Sequence, residues 1–368
     1  MAHTDELSRR VARMVVIGFE GTEEVPQEAR ALIEAGAFGA ILFKRNVVSP
    51  AQTAALCRRL KELAGRPFLL AVDQEGGRVA RLRDAPFTAL PSMRQIGATG
   101  DEPLAERVGK LLAREVLAAG FDWDFAPVVD VDTNPQNPVI GDRSFGRDPE
   151  LVARMGVALA RGLESGGVAS CAKHFPGHGD TTEDSHLALP SLPHGMDRLR
   201  AVELAPFRAY ARAGLASVMT AHVIFQALDP GIPATMSAKV LGLLRGELGF
   251  GGVLVSDDLE MKAIADHFGI GEAAVQGAAG GVDVFLVCHG ADRQQLAIES
   301  IIRAVEAGKI PRARIDEANA RLDAFQRRFA HPPEDRLSLL GTEEHRALAR
   351  GLDAGEQGFD PTDRARWA

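Results

Sequence analysis

Cysteine is scarce in this chain. Cys57, Cys171 and Cys288 are the only three in 368 residues. They share no metal-binding or disulfide spacing, and two sit inside apolar runs, so they read as reduced thiols packed like small hydrophobes. Basic charge is short too. Lys and Arg number 42 against 50 Asp and Glu, a formal net charge of −8, which excludes the positive footprint that nucleic acid or an anionic membrane selects. Long apolar runs are missing. The opening MAHTDELSRRVARMVVIGFEG holds only a short apolar stretch before Glu20, too little for a secretion signal or for a span of about 20 apolar residues. A glycine-rich phosphate loop is also absent, since IGFEGTEE (17–24) is not GxGxxG. With 46% hydrophobic and 25% charged residues, the composition is that of an ordinary globular protein, long enough for one large domain or two small ones. The expectation is a cytoplasmic protein with no nucleic-acid or membrane partner.

What the chain does have is a regular alternation. Apolar runs occur at RMVVIGF (13–19), GAILF (39–43), FLLAVD (68–73), FDWDFAPVVD (121–130), SCAKHF (170–175), SVMTAHV (217–223), GVLVSDD (252–258) and DVFLVC (283–288). Several are continuously apolar, as strands buried on both faces of a parallel sheet must be. Helical patterns lie between them. PQEARALIEAG (26–36) has Gly36 as a plausible end, and SPAQTAALCRRLKELAG (49–65) has Ser49 to cap it, Pro50 at its first position and Gly65 beyond its end. Eight strand–helix alternations over about 300 residues predict an α/β fold, a single-domain (β/α)8 barrel over 1–331, rather than a doubly wound sheet. Residues 332–368 open with Pro332-Pro333 and contain one helical stretch. They are too short for a domain of ordinary size and read as a helical tail.

Chemistry in such barrels gathers at the carboxyl ends of the strands. There the sequence places Asp73-Gln74-Glu75, then Asp130 and Asp132, Asp142-Arg143, Lys173-His174, His222, and Ser256-Asp257-Asp258. The densest stretch, AKHFPGHGDTTEDSHLALP (172–190), carries Lys173, His174, His178, Asp180, Asp184 and His186 around Pro176, Gly177 and Gly179. Glycine and proline stop regular structure and make it a shaped loop on a rigid scaffold. Asp184 beside His186 forms a carboxylate–imidazole dyad fit for general acid/base work. Asp257, across the mouth, is a candidate carboxylate nucleophile. Such a nucleophile facing a separate proton donor is the arrangement of a retaining glycosidase, here with histidine in place of the second carboxyl. Lys173, His174, Arg143 and Asp73 would grip the hydroxyl and carbonyl groups of a sugar. Plainer readings stand beside these. His178 shapes the loop, Asp258 caps the helix that follows, His222 is a satisfied core histidine, Asp73 and Arg143 form a structural ion pair, and Asp130 and Asp132 form turns. His174, His178, Asp184 and His186 are conceivable zinc ligands, but they match neither HxH nor HExxH, so no metal and no cofactor is expected.

KHFPGHGDTTEDSH, together with AVDQEGGRVARL (71–82), IGDRSFG (140–146) and GVLVSDDLEM (252–261), resembles the family 3 glycoside hydrolases, more closely their single-domain β-N-acetylglucosaminidase branch. The resemblance runs from about residue 13 to 330 and implies retaining hydrolysis of terminal β-linked N-acetylglucosamine. The implied substrate is N-acetylglucosaminyl-anhydromuramic acid and its peptides in cell-wall recycling, a small muropeptide-derived disaccharide handled by a monomer. Matched position by position, Asp257 falls on the nucleophile, His186 on the acid/base, and Asp184 on its partner. Asp73, Arg81, Arg143, Lys173 and His174 fall on the sugar contacts. Glu260 departs from the small residue usual three places after the nucleophile. The alternatives are a phosphorylase, a β-glucosidase or xylosidase of the same family, a metal-dependent amidohydrolase, and a sugar-binding barrel without activity.

Overall fold

The computed structural model describes residues 2–185 and 188–352. Eight strands alternate with helices: β1 (Val15–Ile17), β2 (Gly39–Ile41), β3 (Leu69–Val72), β4 (Trp123–Asp124), β5 (Cys171–Phe175), β6 (Ser217–Thr220), β7 (Val253–Asp258) and β8 (Val284–Val287). They form one sheet in the order β4-β3-β2-β1-β8-β7-β6-β5, every neighbouring pair parallel. The two edges meet through parallel bridges from Trp123 to Ala169 and from Val128 to Lys173, which bring the sheet to near closure. The expected (β/α)8 barrel is thus the observed one, and each strand lies within an apolar run of the sequence.

The period of two along a strand divides the side chains between two cores. Val16 points inward with Ile41, Leu69, Ala71, Val253, Val255 and Leu286. Val15 and Ile17 point outward into the larger layer between sheet and helices. That outer layer is covered by α1 (Ala2–Ala12), α2 (Gln27–Ala35), α3 (Pro50–Ala64), α4 (Glu102–Ala118), α5 (Pro149–Ser165), α6 (Leu204–Arg212), α7 (Ala238–Gly242), α8 (Ile270–Gly280) and α9 (Ala291–Glu306). A further helix, α10 (Arg312–Phe329), closes the amino-terminal end. Its Leu322, Phe325 and Phe329 join the inner core, with Phe325 packed edge-on against Trp123 at 4.9 Å. The opposite end is left open for chemistry.

Local signals behave as elementary chemistry dictates. Ser49 caps α3 through its side chain, Pro50 occupies the first turn, and Gly65 takes the left-handed conformation at φ 60°. The Asp258 cap is a correction. Strand β7 runs through Asp258, and the next helix begins only at Lys262, with Met261 before it. Asp258 Oδ1 instead accepts the backbone N–H groups of Glu260 and Cys288, at 3.1 and 3.2 Å. After α10 the chain runs through an extended connection over 330–342, with one 3-10 turn at Leu337–Leu339, to α11 (Glu343–Arg350). Buried Glu115 on α4 accepts from the N–H of Gly341 and shares a hydrogen bond with His345 Nδ1. Among the described residues no helix is long and apolar enough to cross a membrane.

Candidate active site

The carboxyl ends of the strands surround a cavity of about 1010 Å³. Asp73, Arg81, Arg143, Lys173, His174 and Asp257 all line it, although they come from segments up to 184 residues apart. Asp73 follows β3 and accepts from Lys173 Nζ (2.9 Å) and Arg81 Nη2 (3.3 Å). Two residues on, on the same side of the extended chain, Glu75 takes Lys173 Nζ at 2.6 Å. It also takes a bidentate pair of bonds from Arg143 Nε and Nη2, both 2.8 Å. Arg143 is therefore held by Glu75, while Asp73 is held by Lys173 and Arg81. Glu75 was not among the expected site residues. Its signal is the two-residue spacing from Asp73, which puts both carboxylates on one face.

These pairs settle the protonation of the floor. Burial would raise the Asp73 carboxyl, but the Lys173 ammonium and Arg81 guanidinium outweigh it and hold it below the usual range. The same contest, won by Arg143 and Lys173, also holds Glu75 well below its usual range. Lys173 is pushed up, its desolvation overcome by Asp73 and Glu75. The floor at neutral pH is thus fixed cations and fixed anions with directed donors and acceptors, the chemistry that orients a polyhydroxyl ligand.

Asp130 is not a turn former. It is buried, and it receives His174 Nδ1 (2.7 Å) and the backbone N–H groups of His174 and His178. Burial would raise its carboxyl; His174 and His178 bring it down instead. Asp132 pairs with Arg94 at 2.7 Å. His222 is fully buried, bonded to Thr235 and to the carbonyl of Asp258, as a core histidine should be.

The loop after β5 is moored to the loop after β4. Asn137 Nδ2 donates to the carbonyl of His178 (2.8 Å), Asn134 Nδ2 to that of Thr181 (3.0 Å), and Thr133 Oγ1 to Asp180 (2.8 Å). Asp180 also holds His194 at 2.6 Å. Gly177 adopts φ 144°, and a Cβ on Gly179 would come within 1.9 Å of the Val131 carbonyl, so the mooring needs glycine at both places. His178 shares hydrogen bonds with Thr181 Oγ1 and Ser185 Oγ, at 2.9 and 2.8 Å. Burial, with His174 close by, brings its imidazole down to about 4, so the ring is neutral at working pH. Ser185 reaches the cavity lining. Asp184 is half-buried just before it and does not line the cavity. His186 lies outside the described residues.

Asp257 stands near the end of β7 with Oδ1 accepting the Asp258 N–H at 2.8 Å. Glu260 explains itself in space. It is buried, and its carboxylate accepts the backbone N–H groups of His289 and Gly290 and pairs with Arg293 at 3.2 Å. It ties the loop after β7 to the start of α9.

A parallel barrel with a charge-paired pit at the carboxyl ends of its strands defines a (β/α)8 enzyme. Residues 6–324 match the sequence profile described as glycosyl hydrolase family 3 N terminal domain, and the chain belongs to that family. A beta-hexosaminidase of Thiobacillus denitrificans is 38% identical over 360 residues, 95% of this chain and 97% of that protein. A solved glycoside hydrolase family 3 beta-N-acetylglucosaminidase from Paenibacillus superposes with TM-score 0.88 at 43% identity, covering 94% of this chain and 68% of that one. NagZ from Neisseria gonorrhoeae, solved with N-trifluoroacetyl-D-glucosamine, gives TM-score 0.76 at 36% identity, with 92% and 98% covered.

Proposed function

We propose that this family 3 glycoside hydrolase is a retaining exo-β-N-acetylglucosaminidase that releases terminal β-linked N-acetylglucosamine. Asp257 acts as nucleophile. His186, oriented by Asp184, acts as acid/base, and Asp73, Arg81, Arg143, Lys173 and His174 hold the sugar. An Asp257 oxygen attacks C1 as the C1–O bond breaks, and the leaving oxygen takes the proton of His186. His186 then removes a proton from water, whose oxygen attacks C1 and frees the Asp257 carboxylate. We assign the natural substrate to N-acetylglucosaminyl-anhydromuramic acid and its peptides, acted on in cell-wall recycling by a cytoplasmic monomer. Residues 1–331 serve as the catalytic domain and 332–368 as an appended tail.

The support is the joint lining of one cavity by Asp257 and by the Asp73–Lys173–Arg81 group, in a chain whose relatives are named beta-hexosaminidase. The test is hydrolysis of 4-nitrophenyl β-N-acetylglucosaminide beside the glucoside, each with and without phosphate. Turnover of the acetamido sugar alone, independent of phosphate and reduced at least about 10³-fold in Asp257→Ala, is the expected result. Phosphate-dependent release of a sugar 1-phosphate, or equal turnover of the glucoside, would refute the reading.

A further inference from the structure

An ionised aspartate can only accept hydrogen bonds, so the donors around a buried one report what it holds in place. The Asp130 side chain has no exposed surface. It lies in the segment after β4, where the backbone is pinned against β5. The N–H of Val129 donates to the Lys173 carbonyl at 2.8 Å, and the N–H of Lys173 donates to the Pro127 carbonyl at 3.2 Å. Ser144 Oγ donates to the carbonyl of Asp130 itself at 2.6 Å. The side-chain oxygens then divide their donors. Oδ1 accepts the N–H of His178 (2.7 Å), and the N–H of His174 lies between both oxygens (3.1 and 3.2 Å). Oδ2 alone faces His174 Nδ1 (2.7 Å). Burial would raise the carboxyl, but His174 and His178 bring it below its usual range. It therefore stays ionised, and the proton of the bond to the ring sits on Nδ1.

The consequence falls on the other edge of the ring. His174 lines the cavity, and with Nδ1 turned to Asp130 its Nε2 is turned away from that carboxylate. A neutral imidazole carries one N–H, so Nε2 offers a lone pair. Acceptors are what the cavity floor is short of. Lys173, Arg81 and Arg143 bring N–H donors only. Asp73 is shared by Lys173 and Arg81, and Glu75 by Arg143 and Lys173.

We infer that Asp130 is a positioning residue that locks His174 in its Nδ1–H form, so that His174 Nε2 accepts a hydrogen bond from a hydroxyl of the sugar. The inference rests on the exo-hexosaminidase reading for the sugar. It adds the direction of one contact and the residue that sets that direction.

The test begins without substrate. In wild type labelled with 15N at histidine, two-bond 1H–15N spectra at neutral pH separate the Nδ1–H form, the Nε2–H form and the imidazolium. The His174 signal is the one that disappears in His174→Gln. The Nδ1–H form is expected, and either of the others would overturn the inference. Asp130→Asn then tests the cause. Its Oδ1 can still accept both backbone N–H groups, while its amide puts a donor where Oδ2 stood. The ring should turn to the Nε2–H form, and kcat/KM on 4-nitrophenyl β-N-acetylglucosaminide should fall about 10–100-fold, because two donors then meet. Across the 3-, 4- and 6-deoxy analogues, that loss should shrink to about twofold for the one lacking the hydroxyl that meets His174. A folded variant with an unchanged ring form, or one with equal losses on all four glycosides, would overturn the inference and leave the hexosaminidase reading standing. If the variant fails to fold, the wild-type spectrum decides alone. A wild type that leaves the parent glycoside uncleaved would overturn that reading, and the sugar contact with it.

Discussion

His178 is a base that the fold keeps unprotonated. Its ring has His174 5.8 Å away, Arg143 nearby, and a buried hydroxyl on each nitrogen. Burial, with His174 and Arg143 close by, outweighs the attraction of Asp130. The imidazole falls from 6.5 in the unfolded chain to about 4 in the fold. Between those values the unfolded chain binds the extra proton, so stability rises with pH. The contribution is fully present above pH 6.5 and is lost as pH falls through about 4, in total about 3 kcal/mol. Urea unfolding of the wild type from pH 7 to pH 4 should show this slope, and His178→Gln should flatten it in that window. An unchanged slope in the variant would show that His178 carries none of it. The sequence shows this residue between two glycines but not its burial. Likewise, Asp130 looks like a turn residue in one dimension. Only the β4–β5 bridge from Val128 to Lys173 brings it beneath His174. Asp73, Lys173, His174 and Asp257 were legible because titratable groups at the ends of apolar runs have little other reason to be there. Glu75 was hidden within the motif DQEGGR (73–78), because its partners Arg143 and Lys173 lie far along the chain and meet it only in the fold.

At the scale of elements, the eight strands were legible because a strand buried on both faces has no polar alternation and stands out as a continuous apolar run. The run at 121–130 was the poorest guide. Only Trp123–Asp124 is strand there, because Pro127 has no N–H to give a ladder. The link between the loop after β7 and the start of α9 was not legible, since it joins residues some 30 apart through one side chain. Glu260 holds that link, and burial together with the neighbouring Asp258 raises its carboxyl. The negative charge is thus no advantage there. What matters is an acceptor oxygen, Oε2, within reach of both the His289 and Gly290 N–H groups. Glu260→Gln keeps one such oxygen and should shift the urea midpoint little. Glu260→Ala leaves buried donors unmet and should cost about 2 kcal/mol. Equal destabilisation by Gln and Ala would mean that the charge pair with Arg293 carries the link instead.

For the whole molecule, the open end of the barrel and the packing of residues 336–352 are separate matters. Among the described residues, every one lining the cavity lies at or before Arg293. Residues 336–352 pack on the flank instead. Leu340 and Leu352 are buried in the outer core. Gly341 lies against Pro86, where a Cβ would come within 2.1 Å of the Pro86 carbonyl. Glu115 is the staple, accepting from Thr88 N and Oγ1 as well as from Gly341, and bonded to His345. Removing residues 336–368 takes two of those partners from a buried carboxylate and uncovers apolar surface. Stability should fall by several kcal/mol, as when a buried network loses its partners. The catalytic constants belong to the other end of the barrel. With 4-nitrophenyl β-N-acetylglucosaminide at 25 °C, the truncated enzyme should keep kcat/KM within about twofold while its unfolding temperature drops, because distant sites without shared partners act independently. A truncated enzyme that stays folded but loses turnover would instead couple the flank to the cavity. The path of that coupling would run through Thr88 and the loop between β3 and α4, which bonds Glu115 and leads back to Asp73 and Arg81.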